Sequence, residues 1–197
     1  PITEAHPTRP ANPYGRAKLM VEEILWDYER AHGLRSISLR YFNAAGAAPD
    51  GTAGECHDPE THLVPNVLLS ALGRRPRLKV FGGDFPTPDG TAVRDYIHVT
   101  DLAAAHVLAL KRLLAGEPGD VFNLGAETGH SVLEVVRAAE RVTGREIPFD
   151  VGPRRAGDVA VLLASKAKAE AVLGWKPRLS GLETIVETAW RWHGRTL

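Results

Sequence analysis

Tyr14 and Lys18 stand four residues apart in the segment Asn12-Pro13-Tyr14-Gly15-Arg16-Ala17-Lys18. On a helix that spacing puts both side chains on one face, one turn apart. A cation beside a phenol stabilises tyrosinate and draws its pKa down from the usual value of about 10. The pair is therefore a candidate general acid/base for a substrate hydroxyl. The same face continues through Val21, Leu25 and Tyr28, an apolar stripe. A lysine on a core-facing stripe is costly to bury unpaired. The plainer reading is a packed tyrosine with a lysine that extends to water.

Three further groups have the right types for chemistry. Arg94, Arg154 and Arg155 are guanidiniums, whose planar fork suits a diphosphate. The plainer alternatives pair Arg94 with Asp95 or Asp101 and leave Arg154 and Arg155 as a solvated charge run. Cys56, His57, Asp58 and His62 are metal-ligand types in one loop. Loose spacing makes coincidence the better reading, and no metal is assigned. Asn43 can cap a turn. His98 reads as a structural histidine on a strand, and Trp26, Trp175, Trp190 and Trp192 as core or interface residues.

The elements that must position these groups follow from caps and periodicity. Asn12-Pro13 starts a helix that runs to His32 and stops at Gly33. Leu34–Tyr41 alternates as a strand with Ile37, Leu39 and Tyr41 on one face. Residues 42–62 form a connection rich in Gly, Ala and Asp. Leu63–Leu72 is a buried helix, Leu78–Phe81 a strand and Gly82–Gly90 a loop. Asp95–Val99 is a strand, followed by a helix over Thr100–Leu114 with Thr100 as its cap. Further on come strand Asp120–Leu124, helix Ser131–Thr143, strand Ile147–Val151, and helices over Ser165–Leu173 and Leu182–His193. Alternating strands and helices predict an α/β fold with a partly parallel sheet. A Gly-x-Gly-x-x-Gly turn is absent from the sequence, so any dinucleotide pyrophosphate would be cradled outside it.

Bulk properties narrow the classes. Lys plus Arg equals Asp plus Glu at 24 each, so no cationic excess points to nucleic acid or to an anionic membrane. Cys56 is the only cysteine. An internal disulfide is impossible, and a reducing cytoplasm is the expected compartment. No apolar run reaches membrane-spanning length. The chain begins at Pro1, and its only methionine is Met20. That pattern is expected of a fragment, a processed chain or a partial chain.

Seven ordered blocks carry a family resemblance. The segment from Asn12 to Glu22 resembles the catalytic helix of extended short-chain dehydrogenases/reductases. Arg40-Tyr41-Phe42-Asn43-Ala44-Ala45-Gly46, Thr61-His62-Leu63-Val64-Pro65, and the block from Asp89 through Arg94-Asp95-Tyr96-Ile97-His98 to Leu102 are similar to UDP-glucose 4-epimerases. So are Phe122-Asn123-Leu124-Gly125, Arg154-Arg155-Ala156-Gly157-Asp158 and Leu173-Gly174-Trp175. The resemblance implies the C-terminal part of a Rossmann-like parallel-sheet domain plus a smaller α/β substrate-binding domain. Residues 1–45 would give the catalytic helix and strand. Residues 46–197 would give mainly the nucleotide-sugar-binding domain, with some segments returning to the first. The N-terminal NAD-binding half would lie upstream.

The resemblance also implies roles. Tyr14 would be the acid/base, with Lys18 on the nicotinamide ribose of NAD and Tyr41 and Phe42 near its nicotinamide end. Asn43 would hold the substrate. Leu63, Lys79 and Phe81 would meet the uridine, Arg94 and Arg155 the diphosphate, and Asp158 a ribose hydroxyl. Leu162 would border the sugar C2 substituent. A Ser or Thr that the family uses beside the reacting hydroxyl would precede Pro1. The implied activity is 4-epimerisation of a UDP-hexose through a 4-keto intermediate, in a homodimer whose contact could use Trp26 and Tyr28. The alternatives are a related nucleotide-sugar dehydratase or decarboxylase, a chain that only binds UDP-sugar, and a purely structural domain.

Overall fold

The computed structural model describes residues 1–195. Helix α1 (Pro13–His32) begins where the Asn12 side chain accepts from the Gly15 N–H at 2.8 Å, and ends at Gly33 in the left-handed region. Strand β1 (Ile37–Tyr41) follows, then β2 (Asn43–Ala45), α2 (Leu63–Ala71), β3 (Leu78–Phe81), β4 (Val93–His98) and α3 (Val99–Leu114). The chain continues through β5 (Asp120–Leu124), β6 (Gly129–Ser131), α4 (Val132–Thr143), β7 (Phe149–Gly152), β8 (Val161–Leu162), α5 (Ala167–Leu173) and α6 (Leu182–Arg195).

Among the described residues the strands form three sheets. β1 pairs parallel with β5, Tyr41 opposite Leu124, and β3 pairs parallel with β7. β4 is the hub of the third sheet. It runs parallel to β2 and β8 and antiparallel to β6. This is the α/β architecture with parallel pairing expected from the alternation.

β4 also divides the core. Successive strand residues face opposite ways. Tyr96 packs with Val64, Leu68, Val80, Val135, Ile185 and Val186 between α2, α4 and α6. Its neighbour Ile97 packs with Leu102, Phe122, Leu124, Leu173 and Trp175, a cluster that Ile37 and Leu39 of β1 join. Tyr41, the third residue of that alternating set, is exposed instead. β1 ends there, beyond the cover that its neighbours provide.

Two expectations need correction. Helix α3 is capped by His98, whose Nδ1 accepts the Thr100 N–H at 3.1 Å, and not by Thr100. The stripe Tyr14, Lys18, Val21, Leu25 and Tyr28 does not face a core within this chain, since α1 has no buried residue. Two polar ties to the rest of the chain lie on the adjoining face. Arg40 Nε donates to Glu22 at 2.6 Å, and the Gly119 N–H donates to Glu29 at 3.2 Å. The short strands β2, β6 and β8 were not expected, because segments of two or three residues carry no period to read.

Candidate active site

Lys18 and Tyr14 lie side by side as the helical spacing requires, with the ammonium 5.3 Å from the ring centroid. Tyr14 is 73% exposed, so its phenol is open to solvent in this chain. Tyr41 is exposed at the carboxyl end of β1, with its ring centroid 6.2 Å from that of His106. Phe42, half-buried, follows. Carboxyl ends of parallel strands are where α/β sheets bind ligands.

The second group forms around β4. Arg94 donates to the carbonyls of Val93 at 3.0 Å and Val159 at 2.8 Å, and to Asp158 Oδ1 at 3.4 Å. Leu162 of β8 stands in register with Arg94. The Asp158 N–H donates to the Arg155 carbonyl at 3.2 Å, and the Arg155 guanidinium lies 4.0 Å from the Phe81 ring centroid, a cation–π distance. Lys79 stands 5.5 Å from the same ring. Arg94, Leu162, Asp158, Arg155, Phe81 and Lys79 are therefore linked in one region, although the chain separates them widely.

Asn43 lies opposite Tyr96 on β2, one strand over, and Leu63 opens α2. Arg154 makes other contacts. It donates to Asp84 Oδ1 at 2.7 Å and covers the Phe85 ring at 4.2 Å.

The acidic neighbours of Arg94 do other work. Asp95 is fully buried and accepts N–H bonds from Ala126 at 2.8 Å, Ala164 at 3.0 Å and Glu127 at 3.3 Å. Burial raises its pKa despite those donors, which lower it. Asp101 accepts from the N–H groups of Arg178 and Leu179 and from the Ser180 hydroxyl. Neither pairs with Arg94. Burial pushes Tyr96 up to about 12, so its phenol stays protonated, whereas the Tyr14 and Tyr41 rings are exposed.

His98 is fully buried, and burial lowers its pKa. Its Nδ1 accepts from Thr100, so the neutral ring carries its proton on Nε2 and donates to Thr188 Oγ1 at 3.0 Å. Gly46, at φ +87°, lies where a Cβ would come within 2.7 Å of that ring. Nothing in the residue types of Asp95, Asp101 and Gly46 tells which backbone donors or rings they meet.

Residues 1–125 match the profile of the NAD dependent epimerase/dehydratase family. The chain is 54% identical to the UDP-glucose 4-epimerase of Lacticaseibacillus casei over 193 residues, which cover 98% of this chain and 58% of the relative. The crystal structure of UDP-glucose 4-epimerase from Brucella ovis in complex with NAD superposes with a TM-score of 0.94 at 50% identity, over 96% of this chain and 58% of that one. The Bifidobacterium longum UDP-glucose 4-epimerase in complex with NAD+ and UDP gives 0.92 at 42% identity, over 99% and 58%. The chain thus spans under two thirds of the length of these relatives.

Proposed function

The chain belongs to the NAD dependent epimerase/dehydratase family, and from that premise we propose that it carries the catalytic helix and nucleotide-sugar site of a UDP-glucose 4-epimerase. The observation that carries this reading is the linkage of Arg94, Asp158, Arg155 and Phe81 into one region around β4. Two guanidiniums and an aromatic ring match a diphosphate and a base in chemistry.

Tyr14 is the acid/base. As tyrosinate it takes the proton from the sugar 4-hydroxyl, and as phenol it returns that proton to the same oxygen. Lys18 stabilises the tyrosinate. Arg94 and Arg155 hold the diphosphate, Phe81, Lys79 and Leu63 meet the uridine, Asp158 accepts from the ribose, and Asn43 steadies the substrate. Leu162 borders the sugar. Firm binding at the distant nucleotide keeps the reacting carbon in place while the sugar itself is loosely held. Lys18, Tyr14, Tyr41 and Phe42 would hold NAD, which when bound supplies the reversible oxidation at C4.

Residues 1–45 belong to the Rossmann-like unit, and residues 46–197 mainly to the nucleotide-sugar unit. A preceding NAD-binding half supplies the pyrophosphate cradle and covers the exposed stripe of α1. A cytoplasmic homodimer in galactose metabolism is the matching setting.

The test supplies UDP-galactose to the full-length protein with NAD. UDP-glucose is the expected product. A 4-keto-6-deoxy sugar or a pentose would point instead to a dehydratase or decarboxylase.

A further inference from the structure

Outside the site described above, one loop gathers two imidazoles and two carboxylates. Glu55 Oε1 meets the Nδ1 atoms of both His57, at 2.9 Å, and His62. Glu60 Oε1 lies 3.8 Å from His57 Nδ1. One ligand atom from each of the four residues lies within 4.8 Å of all the others. We infer that Glu55, His57, Glu60 and His62 form a binding site for one divalent transition-metal ion, zinc by ligand chemistry.

Three observations carry this. The first is the meeting of two ring nitrogens at one Glu55 oxygen, with a Glu60 oxygen beside one of those nitrogens. Without a cation, both rings must carry their proton on Nδ1 and share a single acceptor, while two acidic groups crowd together. A cation could take the place of those Nδ1 protons, since neutral imidazoles and carboxylates then all present lone pairs to it.

The second is preorganisation. Glu60 is only 6% exposed, and its Oε1 accepts the N–H groups of Thr61 at 2.7 Å and His62 at 2.8 Å. The loop before it is fastened to α6. Trp192 Nε1 donates to the Glu55 carbonyl at 2.8 Å, and Arg191 donates to the Pro49 carbonyl at 3.0 Å. His62 occupies the cap position of α2 yet makes no side-chain cap bond, its ring being turned to Glu55 instead.

The third is space. Glu55, His57 and Glu60 line a concavity of about 190 Å³ together with Cys56, Leu69, Arg74, Trp192 and His193.

Two imidazoles and two carboxylates suit zinc in tetrahedral coordination, with bonds of about 2.0–2.2 Å. Nitrogen donors disfavour magnesium and calcium, which prefer oxygen. Four protein ligands close the coordination sphere, so the ion is structural. It ties the segment around Glu55 to the start of α2, where Leu63 sits. The ligand types evident in the sequence of this loop are Cys56, His57, Asp58 and His62. The cluster keeps the two histidines but takes Glu55 and Glu60, while Cys56 and Asp58 are exposed and outside it.

The test uses untagged full-length protein stripped with EDTA and titrated with zinc chloride against a chromophoric chelator. Glu60→Gln and a double His57→Ala/His62→Ala variant are run alongside. The two histidine side chains are 54% and 58% exposed, so their truncation spares the core. The expected result is one zinc per chain, bound at least about 100-fold more weakly by the double variant, and a thermal midpoint raised by zinc only in the wild type. Equal zinc affinity in wild type and double variant overturns the site, as does no zinc uptake by the wild type. A midpoint raised equally by magnesium chloride overturns the assignment to a transition metal.

Discussion

Arg94 reaches Asp158 at 3.4 Å and leaves its sequence neighbour Asp95 to the core. The alternation of β4 causes this, since adjacent strand residues face opposite sides. On one side Arg94 is held by two carbonyls and by Asp158. On the other, Asp95 fastens three backbone N–H groups. If the guanidinium holds the diphosphate, Arg94→Ala should weaken UDP binding about 10- to 100-fold, the range of a charge-assisted bond of about 1.5–3 kcal/mol. Arg94→Lys should recover only part, because a point charge replaces a fork. Calorimetric titration with UDP reads both. An unchanged affinity for Arg94→Ala removes it from the clamp.

Tyr14 stands beside Lys18 with no other acidic or basic group needed to explain the pair. Tyr14→Phe in the full-length protein keeps the ring and removes the titrating hydroxyl. Turnover should fall by about 10²- to 10⁴-fold, the usual worth of a positioned acid/base, while UDP affinity holds within about twofold. Turnover near the wild-type rate would mean that another group moves the proton.

How much of this was legible beforehand depended on the kind of signal. Asn12, Ser131, Gly33 and Gly144 announced helix ends through local chemistry, and the structure has those ends. The gathering of Arg94, Asp158, Arg155 and Phe81 in one region was legible only through resemblance. Nothing in the spacing of Phe81, Arg94, Arg155 and Asp158 says that β8 returns to lie beside β4. The burial of Asp95 and Asp101 was hidden for the same reason, because their partners are backbone groups far along the chain. The exposure of α1 was misread from its stripe, because periodicity tells which side is apolar but not what covers it. The loop cluster was half legible. Two of its ligands are carboxylates of a type too common to notice.

His98 sets a pH dependence of stability. Its native pKa is lowered by burial from the ordinary 6.5, with Asp101 pulling the other way. The unfolded chain therefore binds the proton first as pH falls. Stability is fully present above about 6.5 and is lost as pH drops through the lower native value. His193 is shifted the same way by burial and adds to the slope. The thermal midpoint should fall as pH drops below about 6.5, and His98→Gln should flatten that fall while lowering the midpoint at pH 7.5. A variant with the wild-type slope would sink the assignment.

Gly125 tests whether the Asp95 fastening matters. A Cβ there would stand 2.4 Å from Asp95 Oδ2 and 2.6 Å from the Ala164 Cβ. Neither neighbour can retreat cheaply, since the carboxylate is held by the N–H groups of Ala126, Glu127 and Ala164. Gly125→Ala should therefore combine overpacking of about 1–3 kcal/mol with damage to those bonds. Gly33→Ala is the comparison. That residue has φ +69° and nothing within 4 Å of a Cβ, so only the left-handed backbone is penalised, at about 1–2 kcal/mol. Urea unfolding of the full-length protein should show the larger loss for Gly125→Ala. It should also show a fall in UDP affinity, because Asp95 sits next to Arg94 on β4. If Gly125→Ala destabilises no more than Gly33→Ala, the close approach at Asp95 is slack rather than structural.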